Sequence, residues 1–254
     1  MTRMLLLSGV LIAAPFATQA ADLPPVAAPA PFVAPFSWTG FYAGVNAGYG
    51  WGDADVLSTP LPVGVFNTFP VTRGSYDTDG FVGGIQIGYN QQLSSVVLGV
   101  EADVNFSGIE GSVSNPLTGG GRVFRVETEI DWFATLRARL GFVPAERLMV
   151  YATAGAMMAD VTDTTRVQLA LGGAIVPQVN YLGSESDVRF GWTVGGGAEY
   201  AFTDALSLKA EYLYFDLGEN TVIASPQAAN PPFQFSHEIE HTGHIARVGL
   251  NYRF

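Results

Sequence analysis

The sequence predicts an all-β protein, an eight-stranded antiparallel up-and-down transmembrane β-barrel, on three observations. Runs of about ten or more residues alternate apolar and polar side chains, the period of a strand with unlike faces. The connections between the runs are alternately long and short. An export signal opens the chain, and no later stretch has the eighteen or so uninterrupted apolar residues of a transmembrane helix, so any membrane insertion must use strands.

At 254 residues the chain suits one domain with accessories. Arg3, the apolar run Met4 to Phe16 and the small-residue end Ala17-Thr18-Gln19-Ala20 are the parts of a signal peptide (1–20), cleaved after Ala20. The apolar run is shorter than the ~17–25 residues of a membrane anchor. Residues 21–37, ADLPPVAAPAPFVAPFS, hold five prolines and no periodicity, which favours polyproline II. We read them as a semi-rigid periplasmic leader, either a tail without a partner or a wall-facing tether. The barrel then spans 38–254. There is no cysteine, so stability without disulfides falls to a closed ring of inter-strand hydrogen bonds.

The first strand runs from Trp38 to Gly52, with Phe41, Ala43, Val45, Ala47, Tyr49 and Trp51 against Tyr42, Gly44, Asn46, Gly48 and Gly50. Phe81 to Asn90 and Val96 to Phe106 give the second and third, the latter setting Val100 against Glu101 and Asp103. The fourth, Glu129 to Phe142, alternates Leu136, Ala138 and Leu140 with Arg137, Arg139 and Gly141. The fifth, Leu148 to about Val161, is less regular, with Tyr151, Thr153 and Gly155 on its polar side. Arg189 to Phe202 and Leu206 to Tyr214 follow. The last, within His241 to Phe254, sets Ala246, Val248, Leu250, Tyr252 and Phe254 against Arg247, Gly249, Asn251 and Arg253. Short connections fall at 91–95, 143–147 and 203–205, and long ones after Trp51, Ser107, Thr162 and Gly218.

Alternation alone does not say which face looks outward, since a soluble barrel points its apolar residues inward. The export signal, the unequal rims and the aromatics near run ends decide for lipid outside. Trp38, Phe41, Tyr89, Phe142, Phe202 and Tyr252 mark one rim, and Tyr49, Trp51, Phe106 and Tyr214 the other. Short turns are then periplasmic, as are both chain ends. The interior is expected to hold six acids (Glu101, Asp103, Glu129, Asp131, Glu199, Glu211) and six bases (Arg137, Arg139, Arg189, Lys209, Arg247, Arg253). In a narrow lumen they must pair. Hairpin register sets Glu199 opposite Lys209, a predicted ion pair. Leu250→Arg is expected to block membrane accumulation and Asn251→Ala to spare it.

The signal peptide carries one Arg, so 11 bases and 23 acids remain, and the excess acid lies on the rims. Such a surface repels nucleic acid and anionic headgroups. His237-Glu238-Ile239-Glu240-His241 matches the zinc pattern H-E-x-x-H, but it lies between a turn and a strand rather than on a helix. On extended backbone its histidines stand about 13 Å apart, too far to share a zinc. His237, His241 and His244 fall within eight residues at a strand mouth, where the bland reading, chance polar residues, outweighs coordination of haem iron or a metal. Gly119 to Gly121 and Gly195 to Gly197 lack the G-K-[ST] of a phosphate loop. No catalytic, cofactor or metal site is assigned.

AADLP after the signal, WTGFYAGVNAGYGWG, GFVGGIQIGYN, RARLGF before YATAGA, and the final GLNYRF resemble alphaproteobacterial small outer-membrane proteins of the porin-family or OmpA-like transmembrane barrel type. The resemblance spans the mature chain. It implies an abundant, surface-exposed barrel among outer-membrane lipid and lipopolysaccharide, contributing to envelope integrity. It implies further that Phe254 is read by the barrel assembly machinery, and that any cell-wall contact goes through the leader. Some relatives are described as haemin-binding or as porins, which leaves a surface receptor and a narrow porin as alternatives.

Overall fold

The computed structural model describes residues 36–61, 72–117, 122–171, 174–227 and 234–254. The expected signal peptide, the expected leader as far as Pro35, the Asn230-Pro231-Pro232 stretch and Gly119 to Gly121 lie outside the described residues. The chain divides into Met1–Pro35 and Phe36–Phe254, of which the second is the barrel. Its strands are β1 (Gly40–Leu61), β2 (Thr72–Leu93), β3 (Val96–Leu117), β4 (Arg122–Ala145), β5 (Leu148–Leu171), β6 (Ala174–Ala201), β7 (Leu206–Pro226) and β8 (Gln234–Arg253). Each pairs antiparallel with its sequence neighbours, and β1 closes on β8 from Tyr42↔Arg253 to Leu61↔Gln234. The eight-stranded closed barrel is as predicted.

The strands are longer than the alternation suggested. At ~3.3 Å per residue a 22-residue strand such as β1 is about 70 Å long, roughly twice what a tilted strand needs to cross the apolar band. Most of what reads as long loops after Trp51, Ser107, Thr162 and Gly218 is therefore barrel wall. In the lower half, on the short-turn side, the faces are as expected: Leu136 is 64 % exposed and Arg137 is 1 % exposed. Val100, Leu140 and Leu250 also face out, between girdles marked by Phe41, Tyr89, Phe142 and Tyr252 below and Trp51, Phe81, Phe106 and Phe190 above.

Past the upper girdle the chemistry of the two faces exchanges. Ala54, Val56, Val126, Val167, Val222 and Ile239 are buried inside, whereas Asp53, Asp55, Asp77, Glu110, Glu238 and Glu240 face out. Outside the hydrocarbon the surroundings are water, so burial of apolar surface drives those residues into the lumen, as in a soluble barrel. In β4 the exchange also needs a register change. Ile130 pairs with Val161 and Trp132 with Asp160, leaving Asp131 as the extra residue. Such a bulge reverses the alternation beyond it.

That bulge corrects the predicted interior: Glu129 and Asp131 are exposed on the outer wall. Arg189 and Arg253 are only half-buried and form no ion pair among the described residues. Arg189 Nη1 donates to the Glu219 carbonyl at 3.2 Å, across the interval where β6 and β7 show no paired positions between Leu182↔Ser225 and Trp192↔Asp216. Arg253 lies at the short-turn rim, its guanidinium 4.3 Å from the Phe36 ring centroid and 5.4 Å from that of Trp38.

Trp38 is not a girdle residue. Before β1 begins at Gly40, whose φ of 143° suits glycine, the chain turns under the barrel. Trp38 is buried there with Val97, Met149, Tyr151 and Ala201, and its backbone N–H donates to Gln92 Oε1 at 2.8 Å. An indole thus floors the lumen.

Candidate functional site in the barrel lumen

Above the Trp38 floor, four bases and four acids meet: Arg137, Arg139, Lys209 and Arg247 with Glu101, Asp103, Glu199 and Glu211, each at most 4 % exposed. They come from β3, β4, β6, β7 and β8, where alternation aims them inward. Arg137 binds three carboxylates, Glu101 at 2.5 Å, Asp103 at 2.8 Å and Glu211 at 2.9 Å, while its Nε donates to Thr135 Oγ1 at 2.9 Å. Arg247 joins Asp103 at 3.1 Å to Glu211 at 2.7 Å. Arg139 reaches Glu199 at 2.9 Å and stacks 3.9 Å over the Tyr151 ring. Charge balance and multiple donors per carboxylate offset the desolvation that would make a lone buried ion cost several kcal/mol.

The predicted Glu199–Lys209 pair is not formed, although the register does set the two opposite one another. Lys209 Nζ instead lies 2.8 Å from Glu101 Oε1 on β3, and Glu199 is held by Arg139, Ser207 and Asn251. In an eight-strand ring β3 and β7 face each other, and the lumen is narrow enough for an inward lysine to span it. Cross-strand neighbours therefore do not decide partners here. Tyr42, Gln86 and Asn251 join the network as uncharged members: the Tyr42 hydroxyl donates to Glu101 Oε2 at 2.7 Å, and Gln86 Nε2 donates to Asn251 Oδ1 at 2.5 Å. Inward glycines make the room as expected, but not for arginines alone. A Cβ at Gly88 would stand 2.3 Å from the Tyr42 ring, and one at Gly48 2.6 Å from Arg247 Cβ.

Higher up, an apolar layer of Phe133, Leu213, Phe215, Ile109, Ile130 and Ile245 closes the lumen. Above it Asp163 accepts hydrogen bonds from Thr128 at 2.6 Å and Asn220 at 2.8 Å, with His241 Nε2 at 3.1 Å. Alternation had assigned this level to loops, so the ring of polar residues around Asp163 was not anticipated.

The three histidines do not form one cluster. His237 and His241 share the inner face of β8, as the spacing requires, while Glu238 between them is exposed on the outer face. A glutamate on the opposite face cannot serve a zinc held by those imidazoles, so the H-E-x-x-H match has no zincin geometry. His241 is engaged with Asp163. His237 is fully buried with neither ring nitrogen hydrogen-bonded among the described residues, 5.0 Å from the Phe124 ring. His244 faces outward at the upper girdle, against Trp51, Tyr212 and Tyr214. Among the described residues no three His, Asp or Glu side chains converge as a metal site.

The chain is 40 % identical over 252 residues to a 31 kDa outer-membrane immunogenic protein of Brucella melitensis biotype 1, covering 96 % of this chain and 97 % of that one. A 22 kDa outer membrane protein of Rhizobium leguminosarum bv. viciae is 32 % identical over 182 residues, 71 % of this chain and 64 % of the other. In fold the barrel is similar to the outer membrane protein OprG of Pseudomonas aeruginosa, with a TM-score of 0.54 at 12 % identity over 86 % of this chain and 98 % of that one. The family model for the outer membrane protein beta-barrel domain matches residues 5–254, and the chain belongs to that family.

Proposed function

We propose that this protein is a non-enzymatic structural element of the outer membrane, a sealed barrel with its short turns and both termini in the periplasm. One observation carries this: the cross-section at Arg137, Glu101, Asp103, Glu211 and Arg247 is filled by side chains with no exposed charge. The Trp38 floor below and the Phe133 layer above support it, since a solute would have to displace all three. Phe254, exposed at the end of the closing strand, suits recognition by the assembly machinery, and the leader suits contact with the cell wall. Reconstituted in planar bilayers, the protein is expected to show no steady conductance. Large, steady single-channel steps would overturn the sealed-lumen reading and favour a porin.

A second reading, a haemin receptor, keeps one supporting observation. His237 offers two ring nitrogens unbonded among the described residues, beside Phe124 and Phe235, the surroundings that suit an apolar macrocycle with an axial nitrogen ligand. In that case His237→Ala abolishes the Soret shift seen on haemin titration while His244→Ala keeps it. Equal shifts in wild type and His237→Ala remove the reading.

A further inference from the structure

We propose that two copies of this barrel pair edge to edge through a gap in the wall between β2 and β3, on the long-hairpin side and clear of the hydrocarbon. β2 pairs with β1 as far as Ser58↔Thr72, and β3 with β4 as far as Leu117↔Arg122, so the far edges of both strands are occupied to their ends. Between β2 and β3, pairing stops at Asp79↔Glu110 among the described residues. Stretches 73–77 and 112–117 therefore turn unpaired backbone toward each other. The glycines of β2 report the separation: a Cβ at Gly84 would stand 2.0 Å from the Val104 carbonyl oxygen on β3, whereas one at Gly74 would meet nothing within 4 Å.

Two features part the strands. β3 bulges where Phe106 pairs with Trp132 and Ile109 with Ile130, two residues of β3 against one of β4, and a bulged strand bends. At the last rung Asp79 directly faces Glu110, and like charges so placed weaken a ladder. The β6–β7 interval differs, since pairing resumes above it at Leu182↔Ser225 and Arg189 bridges it to the Glu219 carbonyl.

An unpaired strand edge is a template for another strand. The antiparallel order selects a second copy as that strand's source. Two barrels the same way up in one membrane, related by a two-fold axis along its normal, set β2 of each against β3 of the other, antiparallel both times. Both gaps are filled at once. A lone peptide between β2 and β3 would have to run parallel to one of them. Continuing the spacing of Asp79↔Glu110 upward sets Ser75 opposite Ser114 of the partner subunit and Asp77 opposite Ser112 of the partner subunit, so no like charges stand directly opposite and two serines meet. On the inner face Tyr76 and Val113 border the gap at the edge of the apolar upper core, which the added strands extend.

The chain has no cysteine, so oxidative cross-linking of the full protein in its own membrane tests the pairing. Directly opposite residues of an antiparallel ladder have Cα atoms about 4.5–5.5 Å apart, within reach of a disulfide. A Ser75→Cys chain co-expressed with a Ser114→Cys chain is expected to give a covalent dimer, and each expressed alone only monomer. Thr59→Cys with Ser236→Cys, opposite one another across the continuous β1–β8 wall, is expected to give no dimer. Heat-modifiable migration in detergent confirms that the chains compared are folded. Absence of the dimer from folded Ser75→Cys and Ser114→Cys chains, or as much dimer in the β1–β8 control, would overturn the proposal. So would an internal disulfide in a chain carrying both Ser75→Cys and Ser114→Cys, because β2 and β3 would then close on each other within one barrel. The sealed-lumen reading survives any of these results, since it is read by conductance.

Discussion

Arg137→Ala is expected to destabilise the barrel by about 3–5 kcal/mol, the usual cost of removing one partner from a buried ionic cluster. The guanidinium serves Glu101, Asp103 and Glu211 together, and no water reaches them. Its loss leaves four buried carboxylates to three cations. The check is the urea midpoint of the protein folded in lipid, with Arg137→Lys beside it. Lysine keeps the charge but not the fork that reaches two or three carboxylates, so it should fall between wild type and alanine. A midpoint shift under 1 kcal/mol for Arg137→Ala would mean that the lumen is hydrated and the network is solvated.

Leu250→Arg is expected to prevent stable accumulation in the outer membrane. Leu250 faces outward between the girdles, where an arginine costs ~2–4 kcal/mol at mid-depth. Asn251→Ala is the inward companion, and the structure revises its expected innocence. Asn251 accepts from Gln86 and donates to Glu199, so truncation strips partners from two buried groups and costs about 1–3 kcal/mol. Membrane insertion itself should survive. Heat-modifiable migration in detergent and outer-membrane fractionation read both variants, and equal accumulation of the two would mean that the lipid-facing wall is misassigned.

The membrane-spanning half was legible because hydrocarbon imposes one rule on every strand, apolar side out, and a strand shows that rule at period two. Leu136, Val100 and Leu250 outside and Arg137, Arg139 and Glu101 inside follow from it. The upper half obeys the opposite rule, and Asp53-Ala54-Asp55-Val56 carries its signal in plain alternation. That signal passes for a loop when a strand is expected to stop at the membrane surface. Asp131 shows a different limit: one inserted residue reverses the alternation beyond it, and nothing local distinguishes it from its neighbours.

Alone, the sequence determined the strand number, the antiparallel order, which residues of the spanning half meet lipid and eight of the twelve ions expected in the lumen, Glu129, Asp131, Arg189 and Arg253 being the exceptions, because these depend on side-chain alternation and connection length. Only the tertiary structure decided who pairs with whom. Closure of eight strands brings β3 opposite β7, so Lys209 finds Glu101 rather than its ladder neighbour Glu199. It also carried β8 through all three histidines, so that the period of two sends His244 outward and His237 and His241 inward where a loop-end cluster was expected.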